Sequence, residues 1–144
     1  MAQDLANWDA AYSQRQRQRG VTRDATLAQN AYTTFLSQQR GNRNMIDVNK
    51  SMTRGLEKLG SSFAHRGIAN SGLANQGSSD YNQAWVQQNQ DITDGLDQVK
   101  QNEVFSNNNA WNSYNTGQAD DELAKQNDIL STAASLKQFQ PFLG

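Results

Sequence analysis

Residues 45–63 of the chain read MIDVNKSMTRGLEKLGSSF, and the spacing of their apolar residues decides the fold. Steps of three and four residues separate the apolar positions Met45, Val48, Met52, Leu56, Leu59 and Phe63. A narrow apolar stripe at this spacing is typical of a helix in a coiled coil or a slender bundle. The stretch is therefore predicted to be an α-helix that packs along one heptad-like seam.

A second stretch repeats this pattern 40 residues later. Residues 52–59, MTRGLEKL, align with residues 92–99, ITDGLDQV. The second seam is predicted to consist of Tyr81, Trp85, Ile92, Leu96 and Val99. An old duplication, a shared packing requirement, or chance similarity in a sequence of biased composition would each explain the similarity. Gly55 and Gly95 occupy equivalent places. Each glycine costs about 1 kcal/mol relative to alanine in a helix interior, and close approach of another helix would explain why glycine is present despite this cost.

The segment between these two stretches is rich in glycine. Residues 67–77 read GIANSGLANQG and contain Gly67, Gly72 and Gly77. Glycine permits a positive φ and close backbone approach, so this segment is predicted to be the bend. The two arms then form either a helical hairpin or one long broken helix.

The remaining chain is also predicted to be helical, which gives an all-α fold without a sheet. Helix formers predominate and Pro141 is the only proline. Four parts are expected: a basic N-terminal helix or arm (1–20) ended by Gly20, a helix (21–41) ended by Gly41, the central hairpin (42–106), and a last part (107–144). That last part comprises a linker at Asn107-Asn-Asn109, a helix and an apolar tail. We expect Phe139, Phe142 and Leu143 of the tail to dock into a partner.

The composition favours a protein that associates with other chains. The chain has 144 residues, of which 35% are hydrophobic, against roughly 45–50% apolar residues in a typical soluble domain counted with glycine. Partner chains, including further copies in a homo-oligomer, would supply the missing apolar surface. The 18 glutamines and 16 asparagines suit such contacts, because an amide both donates and accepts hydrogen bonds. Residues 1–72 carry a net charge of +5 and residues 73–144 one of −6, an asymmetry that could guide antiparallel contact within or between chains.

The sequence offers little for catalysis. Cysteine is absent, which excludes disulfides and thiolate metal sites. His65 is the only histidine, and its place at a helix end predicts an interaction with the helix dipole. We predict no catalytic residue, metal or cofactor, and therefore no enzyme. No apolar run approaches the roughly 20 residues of a membrane span, and the N-terminus lacks the apolar core of a signal peptide.

A basic stretch near the N-terminus has two interpretations. Arg15 and Arg19 share a helix face, and Arg17 points away from it. The three arginines could form a solvated or protein-contacting face. They could also contact nucleic-acid phosphates without reading the base sequence.

Residues 65–73, HRGIANSGL, followed by a helix rich in glutamine and asparagine, resemble a segment of small helical virion proteins of tailed bacteriophages. In those proteins an Arg-Gly-apolar-x-x-Ser-Gly-apolar stretch interrupts two polar helices. The resemblance covers residues 40–105 and implies a virion component, without fixing its location in the particle. Our leading hypothesis is a minor structural protein of the tail or head–tail junction, present in several copies. It would be made in the host cytoplasm and would contact portal, tail or tail-tip proteins. Two alternatives are an internal ejection protein, for which membrane contact is expected, and an assembly scaffold or chaperone.

Overall fold

Two long helices make up the described part of the chain. The computed structural model describes residues 2–67 and 72–139, with only the backbone of Ala2. Helix α1 spans Ala2–His65 and helix α2 spans Gly72–Phe139. The helices pack as a hairpin, and the described residues contain no strand. The all-α prediction is therefore confirmed, and of its two arrangements the hairpin is the one observed.

The bend between the helices begins where the glycine-rich segment was predicted to turn. The backbone N–H of Arg66 donates to the Ser62 carbonyl at 3.3 Å, and that of Gly67 donates to the Ala64 carbonyl at 3.1 Å. Gly67 has a φ of 69°, the left-handed conformation that commonly ends a helix at glycine. Part of the predicted bend is helical instead: Gly72 begins α2 and Gly77 lies inside that helix.

The predicted helix ends at Gly20 and Gly41, and the predicted linker at 107–109, are wrong. Helix α1 continues through both glycines, and α2 continues through all three asparagines. One glycine in a helix interior costs about 1 kcal/mol, which contacts with the opposite helix can offset. Gly41 is itself buried against Leu96, and Asn107 accepts a hydrogen bond from Asn30.

The hairpin divides into two compact units. Unit 1 comprises Met1–Asn30 and Phe105–Gly144, and unit 2 comprises Ala31–Val104. We call the line of residues on each helix that faces the other helix the seam. On α1, residues with reduced exposure recur at intervals of 11, at Trp8, Arg19, Asn30, Gly41, Met52 and Phe63. Eleven residues correspond to three turns at about 3.67 residues per turn, so this spacing differs from the heptad spacing of about 3.5.

Candidate assembly interface

The seam of unit 2 is apolar. On α1, Phe63 is buried, and five other predicted positions are half-buried: Met45, Val48, Met52, Leu56 and Leu59. On α2, four predicted positions are half-buried: Trp85, Ile92, Leu96 and Val99. Tyr81 is 40% exposed, although its ring lies beside Gly55. These residues form a narrow line of contact and not an enclosed core.

Glycines allow the two helices of unit 2 to approach closely at three places. A Cβ atom on Gly41 would lie 2.8–3.1 Å from three side-chain atoms of Leu96. One on Gly77 would lie 2.9 Å from Leu59, and one on Gly55 would collide with the Tyr81 ring. A Cβ atom on Gly95 would have no neighbour within 4 Å. Close approach therefore explains Gly55 but not Gly95, although the two glycines are equivalent in the repeat.

Polar groups interrupt the apolar seam of unit 2, among them the buried Thr34 and one hydrogen-bonded pair. The indole N–H of Trp85 donates to the side-chain oxygen of Asn49. On α2 itself, the Asn89 amide donates to the backbone carbonyl of Trp85 at 3.0 Å. This solvent-exposed hydrogen bond joins one residue of each helix.

Charged residues line part of the seam of unit 1. Asp121 is only 4% exposed. The Arg19 guanidinium donates to its two carboxylate oxygens at 3.1 and 3.4 Å, and Arg15 lies 3.7 Å away. Farther along the seam, the Tyr12 hydroxyl donates a hydrogen bond to the Asp128 carboxylate at 2.6 Å. Charge-assisted hydrogen bonds of this kind depend on direction, and they therefore specify the register of the two helices.

Aromatic rings and amides continue this polar seam toward Asn30. The guanidinium of Arg23 lies 4.3 Å from the ring centroids of both Trp111 and Tyr114, within the range of cation–π attraction. The Asn30 amide donates to both Ser106 and Asn107 at 2.8 Å. Unit 1 thus uses a ladder of paired polar groups where unit 2 uses apolar contacts.

Two pKa values in unit 1 depart from their ordinary range. The hydrogen bond to Asp128 raises the pKa of Tyr12, and burial and the negative charge of that carboxylate act in the same direction. The ion pair of Lys125 with Asp9, 2.6 Å long, raises the pKa of Lys125 through its hydrogen bond and its charge. Both groups therefore hold their protons more firmly in the hairpin. The protonated form of each group is the one that its contact requires.

The three arginines near the N-terminus do not share one environment. Arg19 and Arg15 both contact Asp121, and Arg15 also lies 4.8 Å from the centroid of the Tyr12 ring. Arg17 is exposed. Two of the three charges are therefore partly neutralised within the hairpin, and the nucleic-acid interpretation stays a prediction.

Large apolar side chains point away from the seam in both units. Three apolar residues are buried, namely Tyr12, Phe63 and Ala74, and no described side chain is fully buried. Examples of the exposed large apolar residues are Val21, Tyr32, Phe35, Ile46, Val86, Val104, Phe105, Leu123 and Leu130. The chain exposes 10782 Å², whereas a compact monomeric protein of 16.0 kDa exposes about 7,400 Å². Much apolar surface is left available for other chains.

The ends of the helices and the titratable groups show few further features. His65 lies in the last turn of α1, where a cation interacts favourably with the helix dipole. Phe139 is 63% exposed at the end of α2, and Phe142 and Leu143 lie outside the described residues. Across residues 2–67 and 72–139, no cluster of three His, Asp or Glu residues could hold a metal ion. Neither helix, over the residues described, has a stretch apolar enough to cross a bilayer.

Comparison with protein-family models, with curated proteins and with solved structures finds no match.

The charged seam of unit 1 was missed by the sequence prediction. Its members, chiefly Asp121, Arg23 and Asn30, are polar residues that a search for apolar periodicity ignores. The 11-residue spacing on α1 offers a signal that could have found Asn30. Counting back from Phe63 and Met52 reaches Asn30 and Arg19, which lie on the same helix face.

Proposed function

We propose that this protein is a structural protein that assembles with further copies of itself and with other protein chains. The observation that carries the proposal is the small amount of apolar burial in a hairpin that displays many large apolar side chains. Three buried apolar residues among the described residues 2–67 and 72–139 are few, because the burial of apolar surface must offset the conformational entropy lost on folding. Additional copies would bury the outer faces.

The form of the seams also supports assembly. Charged and amide pairs in unit 1 fix register but contribute little net stability, since the desolvation of buried charges offsets much of their attraction. Polar groups of this kind specify how helices pair in multi-chain bundles. A hairpin with a well-specified register and uncovered apolar faces suits a repeated part of a larger particle.

Thermal unfolding of the full chain at several concentrations tests the assembly proposal. Because association stabilises the folded state by mass action, we expect the melting temperature to rise by about 5–10 °C over a hundredfold increase in concentration. Phe35→Gln, which removes an exposed apolar side chain, should weaken this dependence. The control Ser61→Gln places the same amide at an exposed position without removing apolar surface. A melting temperature independent of concentration would contradict the proposal.

Within this class, we propose that the protein is a minor component of a bacteriophage particle at the tail or head–tail junction. The support is the similarity of residues 65–73 to small helical virion proteins, together with the amide-rich helices on both sides. Portal, tail or tail-tip proteins would be its heterologous partners. Mass spectrometry of purified finished particles should detect the chain in several copies per particle. Its absence from finished particles would exclude the virion role and would favour a scaffold that leaves during assembly.

A further inference from the structure

The outer side of α1 in unit 2 combines apolar and basic residues. Opposite the seam, exposed positions recur at steps of three and four; we call this the basic face, and it comprises Tyr32, Phe35, Gln39, Arg43, Ile46, Lys50 and Arg54. Arg40 lies exposed at its border. Residues 31–65 carry five Lys or Arg and two Asp or Glu. The basic face is thus an apolar strip with positive charge along it.

The outer side of α2 in unit 2 has the opposite charge. Exposed positions at the corresponding spacing form what we call the acidic face, which comprises Gln83, Gln87, Gln90, Asp91, Asp94, Asp97 and Gln101. Residues 72–104 carry five Asp or Glu and one Lys. The side-chain amides on this face can both donate and accept hydrogen bonds.

The two faces do not neutralise each other within the hairpin. The seam lies between them, and they point away from each other on the two helices. Among the described residues of unit 2, no ion pair joins a basic residue of α1 to an acidic residue of α2. Their charges are therefore available to another chain.

The charges of the two faces lie at matching levels along unit 2. The Leu96 side chain packs against Gly41, which places these two residues opposite each other. The two helices are antiparallel. Arg43 follows Gly41 by two residues, and Asp94 precedes Leu96 by two residues, so Arg43 and Asp94 lie at the same level along the hairpin. In the same way Arg40, one residue before Gly41, lies level with Asp97.

We propose that copies of this chain stand side by side in the same direction, with the basic face of each copy against the acidic face of the next. This inference rests on the proposed self-association and specifies its geometry. Rotation about an axis parallel to the hairpin keeps every residue at its own level, so Arg43 of one copy meets Asp94 of its neighbour. Because the two contacting surfaces differ, the interface is heterologous, and a closed ring results when the rotation closes. Phe35 and Ile46 then become covered by the neighbouring helix.

Cysteine cross-linking tests this arrangement without interference, since the natural chain has no cysteine. The double variant Arg43→Cys/Asp94→Cys, treated with a short bis-maleimide, should give a ladder of covalent multimers that ends at the ring size. Each single variant should give background only. The matched control Arg54→Cys/Asp94→Cys uses the same faces but displaces one cysteine by 11 residues, about 16 Å along the helix. It should not form the ladder.

Charge reversal provides an independent readout on the full chain. Arg43→Asp and Asp94→Arg should each weaken association about tenfold or more, because like charges then face each other. The double variant Arg43→Asp/Asp94→Arg should recover association to within about threefold of the wild type. Lys137→Asp changes the net charge by the same amount as Arg43→Asp but lies at the far end of α2. It should have little effect on association.

The outcomes separate this inference from the proposed function. An oligomeric wild-type chain whose Arg43→Cys/Asp94→Cys variant gives no ladder would overturn the arrangement and leave self-association standing. Equal cross-linking by a single variant would also overturn it, because only a two-fold interface brings identical residues together. A monomeric wild-type chain would overturn both.

Discussion

Replacing Asp121 with alanine is expected to lower the free energy of unfolding by about 2–3 kcal/mol, measured by urea unfolding at a fixed protein concentration. The Asp121 carboxylate is 4% exposed and accepts hydrogen bonds from Arg19. Its removal leaves the Arg19 charge in the seam without its partner. The effect stays below that of a fully buried pair, because the Arg19 side chain is 37% exposed and water can partly solvate it.

Two further variants establish whether the charge pair is the cause. Asp9→Ala removes the partner of Lys125 in a more exposed ion pair, and a clearly smaller loss than that of Asp121→Ala is expected. Arg19→Met/Asp121→Leu replaces both charges with apolar groups, a change that is often neutral or stabilising. A cost for Asp121→Ala no greater than that for Asp9→Ala would show that removing Asp121 does not leave an uncompensated Arg19 charge in the seam.

Alanine at Gly41 and at Gly95 should shift stability in opposite directions. A Cβ atom on Gly41 would lie 2.8 Å from Leu96, so the side chain or the helix must move, at a cost of about 1–3 kcal/mol. Subtracting the helix-propensity gain of about 1 kcal/mol leaves a net loss of up to about 2 kcal/mol. Gly95 has open space around it, and Gly95→Ala should stabilise the chain by up to about 1 kcal/mol through helix propensity alone. Thermal unfolding followed by circular dichroism measures both variants under the same conditions.

A comparison of the two glycine variants separates the effect of helix packing on stability from the effect of helix propensity. If Gly41→Ala also stabilised the chain, the helices would not approach at that level as described. The conclusion that Arg43 and Asp94 lie at the same level along the hairpin would then lose its basis, because that conclusion depends on the contact between Gly41 and Leu96.

The helical class and the start of the bend could be predicted from the sequence. The apolar spacing of residues 45–63 requires a helix, and Gly67 takes the positive φ for which glycine is suited. Continuity through Gly20 and Gly41 could not be predicted in this way, because glycine both ends helices and permits close packing within them. Only the presence of Leu96 opposite Gly41 decides between these roles, and that contact joins residues distant in the chain.

The division between seam and outer face was equally hard to derive from spacing alone. On α1, Ile46 follows Met45 directly, yet Met45 is half-buried and Ile46 is 52% exposed. Both the seam and the basic face recur at steps of three and four, so each resembles the contact side of a helix. A helix with two such sides is expected where it packs against more than one neighbour, which agrees with the proposed assembly.

The central claim, that the hairpin is completed by association with further copies, is tested most directly by light scattering coupled to size-exclusion chromatography. Circular dichroism on the same sample reports whether the chain is helical. The account predicts a helical species whose mass is a fixed multiple of 16.0 kDa. A stably helical species that remains at 16.0 kDa at high concentration would contradict it.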